Sequence, residues 1–175
     1  FDIRKDTLYC DPKNSEKRKS TLILLNIILD SLLKWFAPIL SFTTEEIYQL
    51  VSKNKKSIHL EKFLNFPKNF ENSDLSLKWE KLLNIRDICN LSIEQKRAKK
   101  EIGSSLEATL KVKLNKDYQS ILKNIDLSEL CITSSAKIED SDTQEILVET
   151  IKAAGDKCPV CWKISTSPCE RHHNK

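Results

Sequence analysis

Near the end of the chain, Cys158-Pro159-Val160-Cys161 and Cys169-Glu170-Arg171-His172 set three thiols and an imidazole at C-x2-C-x7-C-x2-H spacing. This is a complete tetrahedral donor set for Zn2+ with no position left for water, so the expected metal is structural rather than catalytic. The first pair suits a tight turn whose two sulfurs face one ion, and the second supplies the other half of the cage. His172 mirrors the spacing of the first pair and is preferred over the adjacent His173 as fourth ligand. The plain alternative is a disordered tail with incidental cysteines.

What else the chain can be is narrowed by its composition. Only two glycines occur, Gly103 and Gly155, and neither a G-x-G-x-x-G nor a Walker-type phosphate loop can be written with them. The longest apolar run, Leu22 to Leu29, is broken by Asn26 and is too short to span a bilayer. No signal peptide is recognisable, and the opening Phe-Asp-Ile-Arg, without an initiator Met, reads as a fragment of something larger. Cys10, Cys89 and Cys131 are scattered through patterned segments, as reduced, buried cysteines of a cytoplasmic protein would be.

Patterning predicts a mainly α chain with a small α/β module. Asn14 or Ser15 can cap a helix over 16–36, in which Asn26, Asp30 and Lys34 form one polar line on an otherwise apolar cylinder. Such a helix belongs in the middle of a bundle. Ala37-Pro38 ends it, and Thr43 with Glu46 offers a capping box for a second helix through about Ser52. Residues 53–74 read as a connection anchored by Leu60, Phe63 and Phe66. A long helix follows over 75–100, with Leu75, Trp79, Leu82, Ile85, Cys89 and Ile93 along one face. Arg86 falls on that face as a snorkelling side chain or a partner for a carboxylate. Lys96, Arg97, Lys99 and Lys100 suit the helix C-terminus, and equally a solvated face.

Past Gly103 the period changes to two. Ala108, Leu110, Val112 and Leu114 alternate with polar residues as in a half-buried strand. A short helix over 118–124 is expected, then strands over 130–133 and 146–151, with 139–142 an acidic loop. The predicted domains are a helical bundle over 1–101, the α/β module over 102–154, and a zinc-binding knob over 155–175.

Catalysis finds little support. His59 stands alone in a polar stretch, and no nucleophile–base constellation can be assigned. Around the zinc ligands, by contrast, lie Lys157, Lys163, Arg171 and Lys175, and Trp162 directly follows the second cysteine. A rigid metal knob presenting an indole and several cations suits an unpaired RNA base and its phosphates. Packing of Trp162 against the knob as a miniature core is the competing role.

Four stretches carry a resemblance: Phe-Asp-Ile-Arg-Lys-Asp-Thr-Leu-Tyr-Cys-Asp (1–11), Ala-Pro-Ile-Leu-Ser-Phe-Thr-Thr-Glu-Glu-Ile-Tyr (37–48), Ile-Gly-Ser-Ser-Leu-Glu-Ala (102–108) and Lys-Cys-Pro-Val-Cys-Trp (157–162). In this order they resemble the C-terminal part of bacterial isoleucyl-tRNA synthetases. The second is shared with the class I enzymes for valine and leucine. The third, joined to a terminal zinc site, points to isoleucine. The resemblance implies a helical anticodon-binding domain, a small α/β module and a terminal zinc domain that helps grip the anticodon loop of tRNA(Ile), with Trp162 close to the anticodon. Many relatives end in Cys-x-x-Cys where this chain has Cys169-x-x-His172, and the terminal segment here is short. The His-Ile-Gly-His and Lys-Met-Ser-Lys signatures are absent, as is the editing domain. The fragment is therefore expected neither to activate isoleucine with ATP, which belongs to the catalytic domain, nor to hydrolyse mischarged tRNA, which belongs to the editing domain. A monomer with no membrane partner is expected.

Overall fold

The computed structural model describes residues 1–52 and 56–172. It forms two compact units, one built from Phe1–Asp6 together with the chain from Asn72 onward, the other from Thr7–Glu71. Helix α1, Lys5–Cys10, runs across the division.

In the second unit, helices α2 (Glu16–Phe36) and α3 (Ser41–Val51) are joined by a tight turn. The Ser15 hydroxyl caps α2 by accepting from the Arg18 amide, leaving one fewer orphan donor at the helix start. The polar line is present, with Lys34 Nζ 2.8 Å from Asp30 and Asn26 donating to the Leu22 carbonyl. The apolar cylinder, however, is not surrounded. Within this unit α2 packs mainly on α3 and the 58–60 turn, burying Thr21, Ser31 and Leu33 while Ile23, Leu24 and Trp35 stay exposed.

The capping box does not form. The Leu40 amide returns to the Phe36 carbonyl at 2.7 Å, so the turn closes early and α3 starts at Ser41, leaving Thr43 inside the helix. Glu45, rather than Glu46, takes the structural role: its Oε2 accepts from the Ile58 amide and the Ser57 hydroxyl. The Ile58 amide holds that carboxyl below its ordinary range. This fixes the turn at Ile58, which is 2% exposed and packs with Leu33, Ala37 and Tyr48. Ile58 is thus the anchor of the connection, whereas Leu60, Phe63 and Phe66 face solvent.

In the first unit, α4 (Ser73–Ala98) begins at Asn72, whose side chain accepts from the Leu75 amide. Leu82, Ile85, Cys89 and Ile93 are buried in the core with the three-stranded sheet, while Leu75 and Trp79 are exposed. Arg86 is half-buried, and its Nε donates to the Leu130 carbonyl at 3.0 Å. The basic end of α4 is met by acids, Lys96 by Glu101 and Arg97 by Glu94.

Strand β1 (Ala108–Leu114) lies at the sheet centre, parallel to β2 (Ser135–Asp140) and antiparallel to β3 (Leu147–Lys152). Its inward residues Ala108, Leu110, Val112 and Leu114 are wholly buried, as the period-two pattern requires. Helix α5 is Lys116–Leu122. Residues 130–133 are not a strand: the Asp126 carboxylate caps a short helix α6, Leu127–Leu130, and Ile132 takes a left-handed φ of 56°. The strand comes next, through residues 139 and 140 of the expected acidic loop, because an edge strand needs only backbone pairing on one side and carries polar side chains freely. Cys89 and Cys131 are buried, whereas Cys10, expected to be buried with them, is only half-buried. Among the described residues no helix is long and apolar enough to cross a membrane.

Candidate metal centre

After β3 the chain turns at Gly155 into a small hairpin of β4 (Asp156–Lys157) and β5 (Ile164–Ser165). Gly155 has φ of 113°, and a Cβ there would lie 2.1 Å from the Ser165 carbonyl oxygen. Only glycine permits that approach. The hairpin tip is the first ligand turn: the Cys158 amide donates to the Lys163 carbonyl at 2.9 Å, and the Trp162 amide to the Cys158 carbonyl at 3.0 Å. The second ligand turn closes when the His172 amide donates to the Cys169 carbonyl at 3.0 Å.

These turns bring Cys158, Cys161, Cys169 and His172 together, with all four ligand atoms within 4.8 Å of one another. Cys161 Sγ is 3.8 Å from Cys169 Sγ, and His172 Nδ1 is 3.4 Å and 3.3 Å from the sulfurs of Cys158 and Cys169. A tetrahedron with metal–sulfur bonds of about 2.3 Å has edges of about 3.8 Å, slightly less for a sulfur–nitrogen edge. The four groups therefore fit one ion, and the cluster can hold a metal. Cys158, Cys161 and His172 are buried and Cys169 is half-buried. His173 and Lys175 lie outside the described residues.

The electrostatics favour a cation. Burial works against the Cys158 thiolate, but the Cys161 and Val160 amides outweigh it and hold the thiol down at about 6. Cys161 is pushed up to about 11 by burial and by the neighbouring sulfurs of Cys158 and Cys169. Adjacent thiolates in so small a space repel, and a divalent ion removes the conflict.

The residues expected to meet RNA have unequal settings. Trp162 is 58% exposed and has a left-handed φ of 64°, so it does not serve as a miniature core. Lys157 Nζ stands 5.3 Å from the centre of its ring, within cation–π range. Lys163 is half-buried, and its charge helps hold the Asp126 carboxyl low; burial opposes that shift, and Ser128 and Glu129 supply the main hydrogen bonds behind it. Arg171 does not stand free: its Nη2 lies 2.7 Å from Asp6 Oδ2.

Three contributors escaped the sequence reading. Ser134 donates to the Leu106 carbonyl and accepts from the Ile164 amide at 2.6 Å, so one hydroxyl joins the sheet module to the hairpin. No signal marks it within Thr133-Ser134-Ser135. Asp6 gave none either, lying at the far end of the chain from Arg171. Gly155 did carry a signal, since an isolated glycine beside a strand marks a close backbone approach.

Comparison with known proteins completes the site. A family model described as the anticodon-binding domain of tRNA ligase matches residues 1–114, which stop short of the metal cluster. The isoleucine–tRNA ligase of Pelagibacter ubique (strain HTCC1062) is 64% identical over 172 residues, covering 98% of this chain and 19% of the relative. That of Methylacidiphilum infernorum (isolate V4) is 42% identical over 165 residues, covering 94% and 18%. That of Bradyrhizobium diazoefficiens is 40% identical over 177 residues, with the same coverage of 94% and 18%. The chain thus spans about a fifth of the length of these curated relatives. The matched helices and the extent of the family model together place this chain in the anticodon-binding domain family of tRNA ligases.

Proposed function

We propose that this chain is the tRNA-gripping portion of an isoleucine–tRNA ligase, acting on the anticodon stem-loop of tRNA(Ile) as a monomer in the cytoplasm. Family membership and the likeness to isoleucine–tRNA ligases support the reading. In it, residues 1–101 form the anticodon-binding helices, 102–154 a supporting α/β module and 155–175 a zinc knob. Zinc is the metal that the donor set supports: three thiolates and one imidazole suit its tetrahedral, closed coordination. A bound zinc would supply rigidity alone. Isoleucine activation with ATP belongs to the catalytic part of the ligase.

The observation that carries the RNA contact is Trp162. A bulky residue in left-handed backbone is strained by roughly 1–2 kcal/mol relative to its ordinary conformations, and the indole recovers little of that by burial. A strained and exposed aromatic side chain points to a ligand. In the proposed arrangement Trp162 stacks on an anticodon-loop base, with Lys157 against the ring and Lys163 beside it meeting phosphate.

Two variants separate binding from folding. Trp162→Ala should weaken tRNA binding by about 1–3 kcal/mol. Trp162→Gly should weaken it equally while leaving the hairpin as stable as before or more so, because glycine accepts positive φ without strain. Unchanged affinity in metal-loaded Trp162→Gly refutes the stacking.

Specificity is read by titrating tRNA(Ile) against the same tRNA with a substituted anticodon. Preference for the former is the expected result. Equal binding indicates a general RNA binder, and no binding indicates a purely structural module. Affinity for tRNA(Ile) should also fall as salt rises, because lysine–phosphate contacts release counterions.

A further inference from the structure

Arg171 sits between the second pair of ligands, Cys169 and His172, so an ion bound by both fixes its backbone from either side. Its guanidinium reaches Asp6 Oδ2 at 2.7 Å, and both side chains are only about a third exposed, at 35% and 28%. Asp6 lies in the first turn of α1. Two residues earlier, Arg4 Nη1 lies 2.9 Å from Glu129 Oε1 on α6. Ion pairs therefore link the opening segment both to the α/β module and to the metal turn, while Ile3 packs against the core.

We infer that Arg171 is a positioning residue that couples metal occupancy to the opening segment through Asp6, rather than a contact to RNA phosphate. This rests on the reading of the cluster as a metal site. With the ion bound, the 169–172 turn holds the guanidinium against the carboxylate. Without it, the turn loses two of its fixed points and the ion pair loses its preorganisation. Of Lys157, Lys163 and Arg171, this leaves Lys157 and Lys163 to meet RNA.

Hydrogen exchange over residues 4–10 tests the coupling in four proteins: the native chain, Asp6→Asn, Arg171→Gln and the double variant, each metal-loaded and chelator-treated. Chelation should speed exchange there about two- to fivefold in the native chain, the range for one partly exposed ion pair. Each single variant should show the same acceleration while still holding metal. The double variant should add nothing, and chelation should have no further effect in any variant. Merely structural destabilisation would add across variants and leave the chelator response intact, which overturns the proposal.

The second arm is the salt dependence of tRNA binding. Arg171→Gln should leave the slope of log Kobs against log salt unchanged, whereas Lys163→Gln should reduce it by about 0.7–0.9. An equal reduction in Arg171→Gln, with exchange at 4–10 unaltered, assigns the guanidinium to phosphate and rejects the coupling. If the protein binds no RNA, the anticodon reading fails while the exchange measurement still decides the role of Arg171.

Discussion

Replacing Cys161 with serine is expected to abolish stoichiometric metal binding and to unfold the hairpin while leaving the rest of its unit intact. The two hairpin strands have two residues each, far too little to hold a fold by backbone pairing. Its buried groups are largely the ligands themselves. Structural zinc contributes about 10–16 kcal/mol of apparent folding free energy in small zinc modules. Losing one of four donors therefore leaves the segment with nothing of comparable size to order it. Exchange over residues 156–172 should approach that of unfolded chain, with β1 and α4 still protected by Leu82, Ile85, Leu110 and Val112. Cys89→Ala, which alters a core thiol outside the cluster, should keep its metal. Acidification should mimic Cys161→Ser: binding must remove the proton of a thiol pushed up to about 11, so affinity falls as pH falls. Calorimetry in buffers of different ionisation enthalpy should register the released protons.

Gly155→Ala is expected to be the other severe change. The added methyl would meet the Ser165 carbonyl oxygen at 2.1 Å and the Thr166 nitrogen at 2.5 Å, both backbone atoms at the end of β5 and just past it. Backbone cannot swing aside as a flexible side chain can, and a φ of 113° is itself foreign to alanine. Steric overlap and backbone strain together should cost on the order of 3 kcal/mol or more. The loss should appear as weaker metal retention in a chelator competition and as faster exchange in the hairpin. Gly103→Ala is the control: its methyl would meet only the Glu107 carboxylate, at 3.2 Å, and that side chain can move. Gly103→Ala should leave metal retention unchanged; equal damage from both would remove the steric explanation.

Much of this was legible in the sequence, for reasons that differ from element to element. The meeting of Cys158, Cys161, Cys169 and His172 could be read because coordination geometry dictates such a spacing. The extent of α2 followed from its polar line and from Ser15, and β1 followed from strict alternation, because each is a local pattern that packing enforces. The exposure of α2 did not follow. An apolar cylinder states that it needs cover, not that the neighbouring residues supply it. The capping box failed because the turn after Phe36 closed before Thr43 was reached. Strand β2 was hidden because none of its residues is fully buried and it shows no apolar face, and α6 because Asp126 caps a helix too short to show a period. Asp6 and Ser134 act through partners remote in sequence, Ser134 across 30 residues to Ile164, and no local pattern encodes such a meeting.

The account depends on one ion drawing two turns into a single rigid pad beneath Trp162. X-ray absorption at the zinc edge, on protein loaded with one equivalent of zinc, tests this most directly. Three sulfurs at about 2.3 Å and one nitrogen at about 2.0 Å around zinc are the expected shell. A shell of oxygen and nitrogen alone, or zinc that washes away in buffer, would contradict it.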